Sequence, residues 1–257
     1  DPATQGHIRK AEELRGLKFK KDPTVKYWDV EKLKKMMKEE FDEELPEKKA
    51  KDIELVLQKF RLLPKDYDLR KEYLELMLEQ IAGFYHPKRK ILCLIAGKNA
   101  GGIEEEVVTI HELDHAMQDQ HFDLTRLQDL VAKNDDMTQA LKSLIEGEAT
   151  YIMMDHMFKN QSGGAMGIMD VPGIEAMIDG QMRTVDPRAK KLNESPLYIR
   201  ETLIRPYIDG FKFCMALLRN KNGWPTMNAV YEDLPSSTEQ VLHPDRYITR
   251  DLPQKAK

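Results

Sequence analysis

Only two cysteines, Cys93 and Cys214, occur in 257 residues. That is too few for a disulfide framework, and neither stands at metal-ligand spacing from another cysteine. They read as two buried apolar thiols, with a single Cys93–Cys214 bridge as the alternative; a bridge would point to an oxidising compartment. No apolar run approaches the roughly 20 residues that span a bilayer. A surplus of one charge is missing too: 40 Lys and Arg against 44 Asp and Glu give a net charge of −4 and a pI near 6.0. This balance leaves no electrostatic footprint for nucleic acid. There is no internal repeat and no low-complexity tract, and the polar opening Asp1-Pro2-Ala3-Thr4-Gln5 does not read as a signal peptide. The chain is 41% hydrophobic and 33% charged, which describes a globular protein long enough for one large domain or two small ones.

Patterning divides the chain near residue 80. The first part reads as helical and highly charged. Val30, Leu33, Met37 and Phe41 recur at helical spacing behind a possible cap at Asp29. Ile53, Val56, Leu57 and Phe60 repeat the pattern up to Pro64, and Asp68 can cap a helix carrying Leu69, Tyr73, Leu76 and Met77. From Gly83 the composition changes. A short strand, a turn at His86-Pro87 and an apolar strand Ile91–Ile95 ending at Gly97 are expected, followed by a break at Gly101-Gly102. Further helices are expected over about 137–158 and 199–218, the latter broken or kinked at Pro206. Residues 187–196 read as loop.

The chemistry concentrates in His111-Glu112-Leu113-Asp114-His115, an H-E-x-x-H run that extends to His121. Two histidines four apart lie on one helix face, one turn apart, so both imidazoles can grip one metal ion while Glu112 reaches a water activated there. Glu104, Glu105 and Glu106 suit the first turn of such a helix. A catalytic zinc takes three protein ligands. His121 has the spacing of the metzincin pattern, but Gln118 stands where that pattern has a helix-stopping Gly. A helix continuing to His121 carries it roughly 9 Å beyond His115 along the axis. The other candidates lie in Glu146-Gly147-Glu148-Ala149. Glu148 is about 200° round the helix from Glu146, so only one of the two can face the metal.

Glu146 with Ala149 resembles the ligand helix of the gluzincin metallopeptidases, whose third ligand is a Glu within patterns of the kind E-x-x-A. The longer string from His115 to Phe122 resembles a bacterial group of such enzymes. The resemblance covers the Glu104–Asp123 helix and the Glu146 helix. It implies His111, His115 and Glu146 as zinc ligands, with His121 and Glu148 as alternatives for the third, and Glu112 as general base. It also implies an oxyanion donor from a segment after the ligand helix: His243 first, then Tyr207, with Tyr151 on the ligand helix itself as another candidate. His156, too far along its helix, reads as structural. Asp119, and less well Asp123, could hydrogen-bond a ligand imidazole or cap the helix end. In zincin folds a strand such as Ile91–Ile95 forms a sheet edge that a peptide substrate extends.

The expectation is therefore an α+β, predominantly α-helical protein, with an N-terminal helical segment (1–80) packed on a zincin-like metallopeptidase domain (81–257). It would bind one Zn2+ and hydrolyse a peptide or protein substrate, with no nucleic-acid partner and no membrane span. The look-alikes imply an extracytoplasmic location, periplasmic or secreted. Two rival functions stand beside this one. One is a non-catalytic peptide-binding or assembly module with a vestigial zinc site, against which Glu112 argues because a structural site needs no base. The other is a zinc hydrolase of a non-peptide amide or ester.

Overall fold

The computed structural model describes residues 2–95, 102–184 and 188–253. Its elements in chain order are α1 (Pro2–Arg15), β1 (Thr24–Trp28), α2 (Val30–Glu44), α3 (Glu47–Lys59), α4 (Leu69–Gln80), β2 (Gly83–His86), β3 (Ile91–Ile95), α5 (Ile103–Phe122), α6 (Leu124–Val131) and α7 (Asp135–Gln161). After these come α8 (Ile174–Met182), α9 (Lys190–Glu194), α10 (Leu197–Leu218), α11 (Trp224–Val230), α12 (Thr238–Leu242) and α13 (Pro244–Ile248). The described residues are thus mostly helical with one small sheet. Asp29 and Asp68 cap α2 and α4 as expected, each accepting from the backbone N–H three residues on. Residues 190–194, expected as loop, form the single turn α9. Gly97, Gly101 and Pro187 lie outside the described residues.

The three strands run in the order β1-β3-β2, with β1 parallel and β2 antiparallel to β3. This corrects the expectation for Ile91–Ile95: it is the central strand, not an edge. The physical reason was visible in its composition, since an unbroken apolar run suits a strand buried on both faces better than a half-exposed one. Leu92 and Cys93 are fully buried. The edges are β1 and β2, and β2 lies against α5, where a Cβ on Gly83 would meet Val108 at 3.0 Å. β1 was hidden inside a segment read as helical. Its five residues are too few to display a period, yet Thr, Val, Tyr and Trp are strand formers. Residues on both sides of position 80 share one sheet, because β1 pairs with β3, and one core, because Ile8, Ala11 and Leu14 join Ile110, Leu113 and Met117.

The long helices α5, α7 and α10 carry the centre of that core: Ile110 and Leu113 from the first, Leu144 and Ile152 from the second, Phe211 and Met215 from the third. The packing of α7 on α10 is closest at Gly147 and Gly210. A Cβ on Gly210 would stand 1.9 Å from the Ser143 carbonyl oxygen, and one on Gly147 would stand 2.1 Å from the Gly210 carbonyl carbon. Only glycine lets the two backbones touch there. Gly210→Ala is expected to destabilise the fold by about 1–3 kcal/mol or more through overpacking. A thermal midpoint equal to wild type would show that the helices are not this close. The α10 helix continues through Pro206, so the proline does not break it. Cys93 and Cys214 are both buried and free, so no bridge joins them. Among the described residues no helix is long and apolar enough to cross a membrane.

Candidate metal centre

The helix α5 runs its full length through Gln118 and past His121, as a glutamine at that position dictates. It is buried continuously from Thr109 to Asp119. His111 and His115 therefore present their rings from one buried face, at right angles to each other with centroids 4.7 Å apart. The third side chain comes from α7. Glu146 Oε2 lies 3.3 Å from His111 Nε2 and 3.4 Å from His115 Nε2, and the two Nε2 atoms are 3.1 Å apart.

These three separations test whether a metal fits. Ligand atoms placed about 2.0–2.1 Å from a tetrahedral ion lie about 3.3–3.4 Å from one another. The observed triangle matches that face closely. Moreover, Glu146 Oε2 and His111 Nδ1 are buried without a hydrogen-bond partner, an arrangement that proteins rarely leave unrelieved. The residues thus form a group within metal-binding distance.

The electrostatics agree. Burial opposes charge on His115, but the Glu146 carboxylate outweighs it and pushes the imidazole up to about 10. Burial likewise opposes charge on Glu146, and His115 and His111 together outweigh it, holding the carboxyl well below the usual range. The pocket is one that favours positive charge between the three side chains.

Two further groups complete the site. Glu112, 7% exposed, lies close enough to raise His115 and the Cys93 thiol of β3. Tyr207, one turn before Gly210 on α10, stacks over His111 at 6.1 Å. Glu146 and burial push its phenol well above 10, and Glu112 adds to this. It is accordingly a neutral donor.

The other sequence candidates lie elsewhere. His121 Nε2 bonds the Lys18 carbonyl at 2.8 Å, at the exposed end of α5. Glu148 is fully buried and points the other way, paired with Arg15 at 2.5 Å and accepting from Tyr231 at 2.8 Å. Tyr151 packs edge-on against Trp224, and burial together with Asp155 and Asp170 raises its phenol, which places it away from the cluster. His156 bonds Glu106 and is structural as expected. Asp123 caps α6 through Arg126 N.

Two readings need correction. Asp119 does not support a ligand imidazole: it accepts from Tyr85, Lys90 and the Leu124 N–H, tying the β2–β3 turn to the end of α5. The partner of His115 Nδ1 is Gln118, at 3.0 Å. His243, the first choice as oxyanion donor, is exposed at the junction of α12 and α13. There α12 docks on the start of α7 through Thr238 and Asp136, ten residues before Glu146, which is roughly 15 Å along the helix. Tyr207 is the donor candidate that the fold brings to the cluster. Sequence reasoning also missed Arg15, whose contact with Glu148 spans 133 positions and leaves no local pattern.

The class that fold and site define is a mostly helical α+β protein with a partly buried His-His-Glu group of metal-ligand geometry. No protein-family model, no curated protein and no solved structure matches this chain.

Proposed function

We propose that the protein is a gluzincin-type zinc metallopeptidase, with His111, His115 and Glu146 as the ligands of one Zn2+. The observation that carries this reading is the triangle of ligand atoms at 3.1, 3.3 and 3.4 Å; Glu112, next to the first histidine in the sequence, is the residue assigned as base. Two imidazoles and a carboxylate are a donor set suited to zinc.

Zinc held there by His111, His115 and Glu146 would supply Lewis acidity to a substrate carbonyl and to a water. Glu112 would take a proton from the attacking water as its oxygen adds to the carbonyl carbon. It returns the proton to the leaving nitrogen as the C–N bond breaks. The Tyr207 hydroxyl, kept protonated by Glu146, donates to the oxygen on which negative charge collects. An extended peptide would add as a strand at a sheet edge, and among the described residues the edge strand packed against α5 is β2.

The test is zinc uptake together with cleavage of a mixed peptide library. Zinc at a hundredfold excess over its dissociation constant should stabilise the fold by about 2.7 kcal/mol. A chelator should abolish cleavage and zinc should restore it. Tyr207→Phe should keep zinc and lower kcat by about 10²–10³-fold. Zinc binding without cleavage of any peptide would instead favour a non-catalytic peptide-binding module, and cleavage of simple esters or amides alone would favour a non-peptide hydrolase.

A further inference from the structure

Gln118, 1% exposed, makes three hydrogen bonds whose chemistry leaves only one arrangement. Its Nε2 donates to the Asp114 carboxyl at 2.9 Å and to the Ile145 carbonyl at 3.0 Å. A backbone carbonyl can only accept, so the amide cannot be flipped without setting oxygen against oxygen. Gln118 Oε1 therefore faces His115 Nδ1 at 3.0 Å, and that nitrogen must carry the hydrogen. In the neutral ring the lone pair then sits on Nε2, the atom that faces Glu146 and His111. The second bond matters as much as the first. Ile145 immediately precedes Glu146, so one amide on α5 ties the ring of one ligand to the backbone beside another on α7.

We propose that Gln118 is the positioning residue of the centre, selecting the tautomer of His115 and fixing the distance between the two helices that carry the ligands. The proposal rests on the reading of His111, His115 and Glu146 as metal ligands. Gln118 reaches the metal only through His115 and the α7 backbone, and partners of this kind orient a ligand and raise its basicity. The glutamine that removes the metzincin turn from this helix is thus itself put to use.

Zinc affinity, measured by competition with a chelator, is expected to fall about 10–100-fold in Gln118→Met, which preserves side-chain length but has no amide. Nitrogen NMR of labelled imidazoles in the zinc-loaded wild type should show the His115 proton on Nδ1, protected from exchange. Gln118→Met, which leaves Nδ1 without an acceptor, should expose that proton to exchange. The wild-type spectrum alone decides the tautomer even where a variant fails to fold. A proton on His115 Nε2, or zinc bound equally by wild type and Gln118→Met, overturns the role of Gln118 and leaves the metal reading standing. A wild type that takes up no zinc overturns the metal reading and this inference with it.

Discussion

Glu112→Gln is expected to give a folded protein that holds zinc as wild type does and has lost about 10²–10⁴-fold in turnover. The substitution keeps the shape of the side chain, so packing at this 7% exposed position is preserved. None of the three ligand atoms is touched. What disappears is the ability to take a proton from water and hand it on, because an amide has no basic oxygen at neutral pH. The contrasting variant is Glu146→Gln, which removes a ligand charge and should weaken zinc itself. Metal content and peptide cleavage measured side by side separate the two roles. A Glu112→Gln chain that cleaves normally would remove the base assignment. One that loses zinc along with activity would make Glu112 part of the metal site, and the proposed division of labour would fail.

What could be read from the chain beforehand follows the range of each interaction. His111, Glu112 and His115 are legible because one helical turn links them. Glu146 is legible because a carboxylate after Leu144-Ile145 and before Gly147 has to face another helix closely. Gly147 proves to be where α10 touches α7. Tyr207 lies one turn before Gly210 on α10, so the contact that admits the helix also delivers the tyrosine to Glu146. No pattern within α10 alone announces this, and the preference for His243 rested on the resemblance, which puts the donor on a segment after the ligand helix. The central position of β3 could have been read from its unbroken apolar run. The strand β1 could not, since five residues gain their meaning only from pairing with Ile91–Ile95. Gln118 was noticed only as a residue that continues a helix. Its contact with His115, three residues back, lies within local range, whereas that with the Ile145 carbonyl depends on how α7 packs.

Arg15 is the case with the longest reach, and its replacement should have the largest effect on stability. The side chain is 1% exposed. Its Nε bonds Glu148, its Nη2 bonds Asn228 at 2.7 Å, and its guanidinium lies 4.1 Å over the Trp224 ring. Glu148 and Asp114 hold it charged against the burial that opposes it. Asp114 meanwhile is pushed well above the usual carboxylate range by burial and by Glu148. Arg15→Met would leave Glu148 buried with only the Tyr231 hydroxyl as partner, and breaking a buried pair from one side costs about 3–5 kcal/mol. A stable pair of this kind often contributes little beyond what apolar residues would, so Arg15→Met combined with Glu148→Leu should recover much of the loss. Denaturant unfolding of the two single variants and the double would measure the coupling. Additive losses would mean that Arg15 acts through Trp224 and Asn228 rather than through Glu148. Because Glu148 lies two residues after Glu146, the single Arg15 variant should also bind zinc more weakly, while the double variant regains affinity along with stability. The helix α1 would then be part of what holds α7 and its metal ligand in place.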